Sequence, residues 1–166
     1  MRVHIFTTGG TIDKIYFDAK STFQVGDPQV SEVLREANVT VDYQVTPLMR
    51  KDSLELTDAD RAIIWDAIVE DACRHIVVTH GTDTMAVTAQ ALVDIPDKTI
   101  VFTGAMQPAK FRMTDAVFNI ASAMIAAQTL PPGVYITMNG QVFEAGHVRK
   151  NVARNRFEAI GKGVSG

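Results

Sequence analysis

His75-Ile76-Val77-Val78-Thr79-His80-Gly81-Thr82-Asp83-Thr84 decides how this chain folds. Its first half is a short β-branched run that is apolar at successive positions, as a strand buried on both faces of a parallel sheet must be. The second half replaces that pattern with hydroxyls, a carboxylate and a glycine. It leads into residues 84–93, which have the length and composition of a helix covering a sheet face. On either side of this stretch, similar short runs recur at 3–7, 41–45, 99–103 and 134–137. Longer helical patterns lie between them. Val30, Val33, Leu34 and Ala37 fall at i, i+3, i+4, i+7, and residues 58–73 open with Thr57 as N-cap and Asp60 three positions on. Residues 114–127 complete the set. The alternation predicts an α/β fold: a doubly wound, mostly parallel sheet with helices on both faces. Asn139-Gly140, followed by Val142 and Phe143, predicts a C-terminal β-hairpin, and the glycine-rich, aperiodic residues 161–166 predict a loose tail.

With 166 residues, 46% of them hydrophobic, the chain suits one compact domain spanning 1–166. The net charge of −3 and the interspersed acids and bases offer no basic face for nucleic acid and no polybasic run for a membrane surface. No window approaches a membrane span, and the apolar start is too short for a signal-peptide core, so a cytoplasmic protein is expected. The single Cys73 excludes an internal disulfide. A small molecule is the expected partner.

In doubly wound folds ligands bind beyond the carboxyl ends of the strands. Thr7-Thr8-Gly9-Gly10-Thr11-Ile12 sits at such a place after the first run, and Thr79-His80-Gly81-Thr82-Asp83-Thr84 after the third. Taken alone, the first reads as an ordinary glycine turn, and the second as helix capping by Thr82 or Asp83. Taken together, they place hydroxyls, backbone N–H donors and one carboxylate around one small volume. That combination suits an amide substrate, because a weak hydroxyl nucleophile needs an adjacent base and the tetrahedral oxyanion needs preorganised donors. The first motif lacks the third glycine of a dinucleotide fingerprint and the Gly-Lys-Ser/Thr of a P-loop. His4, His75, His80 and His147 lack metal-ligand spacing, so neither a cofactor nor a metal is expected.

The pair Thr-Gly-Gly-Thr-Ile (8–12) and His-Gly-Thr-Asp-Thr-Met (80–85) resembles the signature of bacterial-type L-asparaginases. The resemblance continues through Asp52-Ser53, Gly104-Ala105-Met106 with Pro108, and His147-Val148-Arg149-Lys150, in family order across nearly the whole chain. It implies hydrolysis of the asparagine side-chain amide to L-aspartate and ammonia, with Thr11 as primary nucleophile and Thr82, Asp83 and Lys150 as a second catalytic cluster. Asp52 and Ser53 are implied to hold the α-amino-acid head, and Asp83 also the α-ammonium. Gly10 and Gly81 complete the backbone of the site. N–H groups around Gly10, Thr11 and Thr82 are the implied oxyanion donors, and the Ala105 carbonyl accepts from the leaving nitrogen.

Long family members bring a loop tyrosine to the nucleophile. Tyr16, five residues after Thr11, is taken for that role, although an alignment on Val25-Gly26 puts Phe23 there instead. The resemblance is to the short, single-domain form, so the second domain of the usual family members is expected to be absent. A homo-oligomer, dimer or tetramer, is expected to cover the surface left open. Arg149, Arg154 and Arg156 read as a solvated face, with a substrate carboxylate or a neighbouring subunit as the alternative. Cys73 and Trp65 read as structural.

Overall fold

Alternating side chains along the central strands explain why both sheet faces are apolar. The computed structural model, which describes residues 1–161, contains strands β1 (Arg2–Gly9), β2 (Lys14–Phe17), β3 (Thr22–Val25) and β4 (Asp42–Lys51), with helix α1 (Val30–Glu36) before β4. Helix α2 (Asp58–Glu70), β5 (His75–Thr79), α3 (Met85–Ala91), β6 (Thr99–Thr103) and α4 (Ala116–Thr129) follow. Strands β7 (Gly133–Met138), β8 (Gln141–Glu144), β9 (Val148–Asn151) and β10 (Arg156–Ala159) end the described chain. The main sheet has the order β4-β1-β5-β6-β7-β8. All its pairings are parallel except β7 with β8.

Ile76, Val78, Ile100 and Phe102 point to one face, where Ile64 and Ile68 of α2 and Met85 and Ala89 of α3 cover them. Val77 and Val101, one residue out of phase, point to the other, where Leu34 of α1 and Ile120, Ala123 and Ala127 of α4 lie. Burial of both faces, worth roughly 25 cal/mol per Å² of apolar surface removed from water, makes this sheet the core. The expected doubly wound architecture is present. So is the hairpin: Asn139 and Gly140, at φ 54° and 71°, form the turn between β7 and β8, and positive φ at both central residues is what a type I′ turn requires.

The helix at 58–73 ends three residues early, at Glu70, and the one expected from 114 starts at Ala116. Thr57 does cap α2: its hydroxyl accepts from the Asp60 N–H at 3.2 Å, while the Asp60 carboxylate takes the Thr57 N–H at 2.8 Å. Two further hairpins, β2–β3 and β9–β10, carry no turn dipeptide of that strength, and the residue pattern does not announce them. The expected tail at 161–166 lies outside the described residues except for Gly161. No helix among the described residues is long and apolar enough to cross a membrane.

Candidate active site

Parallel strands end together, and here four of those ends carry the motifs. β1 runs into Gly10-Thr11, β4 into Asp52-Ser53, β5 into His80–Asp83 and β6 into Gly104-Ala105. The contact between the first and third is close. Gly10 has φ 88°, and a Cβ built on it would fall 2.5 Å from both Cα and N of Gly81. A Cβ on Gly81 would in turn meet the Ser53 Oγ at 2.7 Å. Only glycine permits backbones to approach this way. Thr11 and Thr82 therefore leave from touching backbones, with Ser53 on the other side of Gly81. Hydrogen bonds from Gly10 N–H to the Lys51 carbonyl (2.9 Å), Thr8 Oγ1 to the Thr79 carbonyl (2.9 Å) and Thr84 Oγ1 to the Ser53 carbonyl (2.7 Å) tie the ends together.

Lys150 arrives from β9, far along the chain. Its Nζ donates to Thr82 Oγ1 at 2.8 Å and to Asp83 Oδ1 at 2.6 Å. Thr82 is buried and the Lys150 side chain is only 16% exposed. The capping alternative for Thr82 and Asp83 is thereby corrected, since both side chains turn to Lys150 and the N-cap residue of α3, Thr84, makes no side-chain cap bond. The ammonium is a stronger partner than a helix N–H for a carboxylate held this near.

Asp52 accepts from the Leu54 N–H at 3.2 Å and lies 3.2 Å from the Lys14 ammonium. Partial burial opposes its ionisation, but the Leu54 N–H, Lys14 and the more distant Lys150 outweigh it and hold its carboxyl below the usual carboxylate range. Ser53 is 1% exposed, and its Oγ has no hydrogen-bond partner among the described residues. One expectation fails at Gly10: its N–H already serves the Lys51 carbonyl and is not free for an oxyanion. No hydrogen bond among the described residues takes up the N–H of Thr11 or Thr82.

Ala105, buried, lies in a loop held by Asp115, whose carboxylate takes the N–H groups of Met106 and Gln107 at 2.9–3.0 Å. Asn119 Nδ2 holds the Gly104 carbonyl at 2.9 Å. Ala109 N–H donates to the Ile12 carbonyl at 3.0 Å and joins this loop to the turn that carries Thr11. Tyr16 is 52% exposed on the β2–β3 hairpin; its ring meets Phe23 edge-on at 5.4 Å, and Phe23 meets Phe111 at 5.6 Å. The two loop aromatics weighed for one role are thus cross-strand neighbours. Arg149, Arg154 and Arg156 gather around Glu158 at 3.0–3.8 Å and are each at least half exposed.

Sequence reasoning gives His80 and Asp13 no role in the site. His80 is fully buried and its Nδ1 donates to the Gly81 carbonyl at 2.7 Å, orienting the peptide that precedes Thr82. Desolvation lowers its pKa to about 4, against the pull of that hydrogen bond, so the ring is neutral near pH 7. Its place inside the Thr79–Thr84 motif is the available signal. Asp13, two residues past Thr11 and 2% exposed, accepts the Gln29 N–H at 2.9 Å, and burial raises its pKa to about 7 against that bond and Arg50.

Comparison with known proteins gives the family. Residues 2–164 match the family model described as Asparaginase, N-terminal, and the chain belongs to the asparaginase family. It is 29% identical over 170 residues to the L-asparaginase of Thermococcus kodakarensis, covering 96% of this chain and 51% of that protein. The solved structure of the thermostable L-asparaginase from that organism superposes with a TM-score of 0.86 at 26% identity, over 98% of this chain and 52% of the other. A glutaminase-asparaginase of Acinetobacter glutaminasificans is 36% identical over 168 residues, 90% of this chain and 50% of that one. A glutamyl-tRNA(Gln) amidotransferase component from Thermoplasma acidophilum is 29% identical over 180 residues, 96% and 43% respectively. The chain spans about half the length of these relatives.

Proposed function

We propose that the chain is an L-asparaginase, acting as one catalytic domain that hydrolyses the side-chain amide of L-asparagine to L-aspartate and ammonia. The observation that carries this reading is the Lys150 ammonium bonded to both Thr82 Oγ1 and Asp83 Oδ1, beside the Gly10–Gly81 contact from which Thr11 departs. Hydroxyl, ammonium and carboxylate in one cluster form a proton relay, in which Asp83 takes a proton from Lys150 and the amine so formed takes the hydroxyl proton in turn. Thr11 Oγ attacks the amide carbon, its proton passing through Tyr16 to the amide nitrogen as the C–N bond breaks, and the N–H groups of Thr11 and Thr82 receive the oxyanion. Ammonia leaves past the Ala105 carbonyl, and water then releases aspartate and restores Thr11. Direct attack by a water held at Thr82 uses the same residues, and intact mass during turnover separates the two routes. Asp52, Ser53 and Asp83 hold the amino-acid head, and Tyr16 reaches Thr11 when the hairpin folds over the site. The enzyme works without a bound cofactor, as a homo-oligomer in the cytoplasm.

The name of the Acinetobacter relative, a glutaminase-asparaginase, favours a second substrate, glutamine. One methylene in a pocket is worth only about 1–3 kcal/mol of discrimination. The test is ammonia release from each amide by wild type, Thr11→Val and Lys150→Met. Turnover of asparagine by wild type, with a loss on the order of 10²-fold or more in each variant, is the expected result. Full activity in Thr11→Val would overturn the assignment, and no release by wild type would leave a non-catalytic amide-binding module.

A further inference from the structure

Lys150 is carried to the site by the β9–β10 hairpin, which lies outside the six-stranded sheet. Two strands alone are marginal as a folded unit, so the rest of the molecule must hold this hairpin in place. Part of the hold is apolar: Val148 and Phe157 are buried with Met138 and Phe143 in the core that α2 and α3 cover. Apolar burial is non-directional and does not by itself set where a strand stops. The directional part is a hydrogen bond. Phe157 N–H donates to Asn139 Oδ1 at 2.8 Å and ties β10 to the turn between β7 and β8. Along the hairpin Phe157 stands directly opposite Lys150. Farther along, Ile160 N–H donates to the opposed His147 carbonyl at 2.8 Å, and alternation from there makes Phe157 and Lys150 a non-hydrogen-bonded pair. That is why the Phe157 N–H points away from β9 and is available to Asn139. Side chains of such a pair share one face and stand closest together, so the buried Phe157 ring and the Lys150 stem leave the hairpin side by side.

We infer that Asn139 is a positioning residue for Lys150: through the Phe157 N–H it fixes the place of β10, and through the opposed pair it fixes where Lys150 Nζ meets Thr82 and Asp83. The inference rests on the relay role proposed for Lys150. Asn139 is suited to the task because its backbone, at φ 54°, belongs to the two-residue turn of β7 and β8, two strands of the main sheet. Its Oδ1 is therefore presented from the rigid part of the molecule to the hairpin that is not part of that sheet. The contacts at the far end are short, 2.8 Å from Nζ to Thr82 Oγ1 and 2.6 Å to Asp83 Oδ1. A displacement of about 1 Å removes both as hydrogen bonds, and misplacement of that size costs on the order of 10²-fold in rate.

The test is Asn139→Gly, which keeps the positive φ of the turn and removes only the acceptor, beside Asn139→Asp, which restores an acceptor and tolerates the same φ. Asn139→Gly lowers kcat for asparagine by on the order of 10²-fold with KM within about twofold of wild type, and Asn139→Asp restores it. Thr57→Ala, a destabilisation of similar size in the cap of α2, leaves kcat unchanged and so separates positioning from a general loss of stability. A second readout needs no turnover. In protein carrying isotope-labelled lysine, the nuclear magnetic resonance signal of the Lys150 ε-carbon, assigned by its loss in Lys150→Met, moves in Asn139→Gly and returns in Asn139→Asp. Unchanged kcat with an unmoved Lys150 signal in folded Asn139→Gly, an equal kcat loss in Thr57→Ala, or a loss that Asn139→Asp does not recover would each overturn the inference. Should wild type release no ammonia, the asparaginase reading falls and the Lys150 signal alone decides this one.

Discussion

Single residues set the site by what they lack as much as by what they carry. Gly10 and Gly81 lack side chains, and that absence brings Thr11, Thr82 and Ser53 to one point. Asp13 shows the opposite case, a carboxyl buried beside the turn that carries Thr11, with a pKa raised to about 7. The folded state binds that proton more tightly than the unfolded chain, whose carboxyl titrates near about 3.9. Its favourable contribution is therefore complete below about pH 4 and is lost as pH rises through about 7. Asp13→Asn, which keeps the acceptor for Gln29, removes this titration. Denaturant melts across the range should show wild type losing up to about 4 kcal/mol relative to the variant between about pH 4 and 8. Parallel pH curves would exclude Asp13 as the source.

Among the secondary-structure elements, legibility follows the range of the interactions. The capping box of α2 and the Asn139-Gly140 turn are made by neighbours in sequence, and both are readable as such. Thr57→Ala should cost about 1 kcal/mol in a denaturant melt, because it removes the acceptor for the Asp60 N–H while Lys51 still holds Asp60 at 2.8 Å. A loss below a few tenths would show that Lys51 and the Thr57 N–H suffice. The β2–β3 hairpin is not readable, since its position depends on Phe23 meeting Phe111, 88 residues away in sequence (111 − 23). Where Tyr16 points is decided by that contact and by nothing in the four residues joining it to Thr11.

The whole molecule rests on a sheet buried on both faces, and its centre carries the largest share. Phe102, fully buried on β6 between its neighbours β5 and β7, should cost about 3–5 kcal/mol on conversion to alanine, with the thermal midpoint falling by on the order of 10 °C. A drop of only a few degrees would mean that the core collapses around the gap. Period, caps and glycine turns are local properties of the chain, so the strands of the main sheet, the helices on both faces and the motif residues follow from residue order alone. Which of these residues touch is a matter of the assembled fold. Lys150 meets Thr82 across 68 residues, the N–H of Gly10 is spent on Lys51, and Thr82 and Asp83 leave the capping role for the ammonium. Each of these depends on strand order and register, which arise from packing the whole sheet at once and have no signature in any one segment.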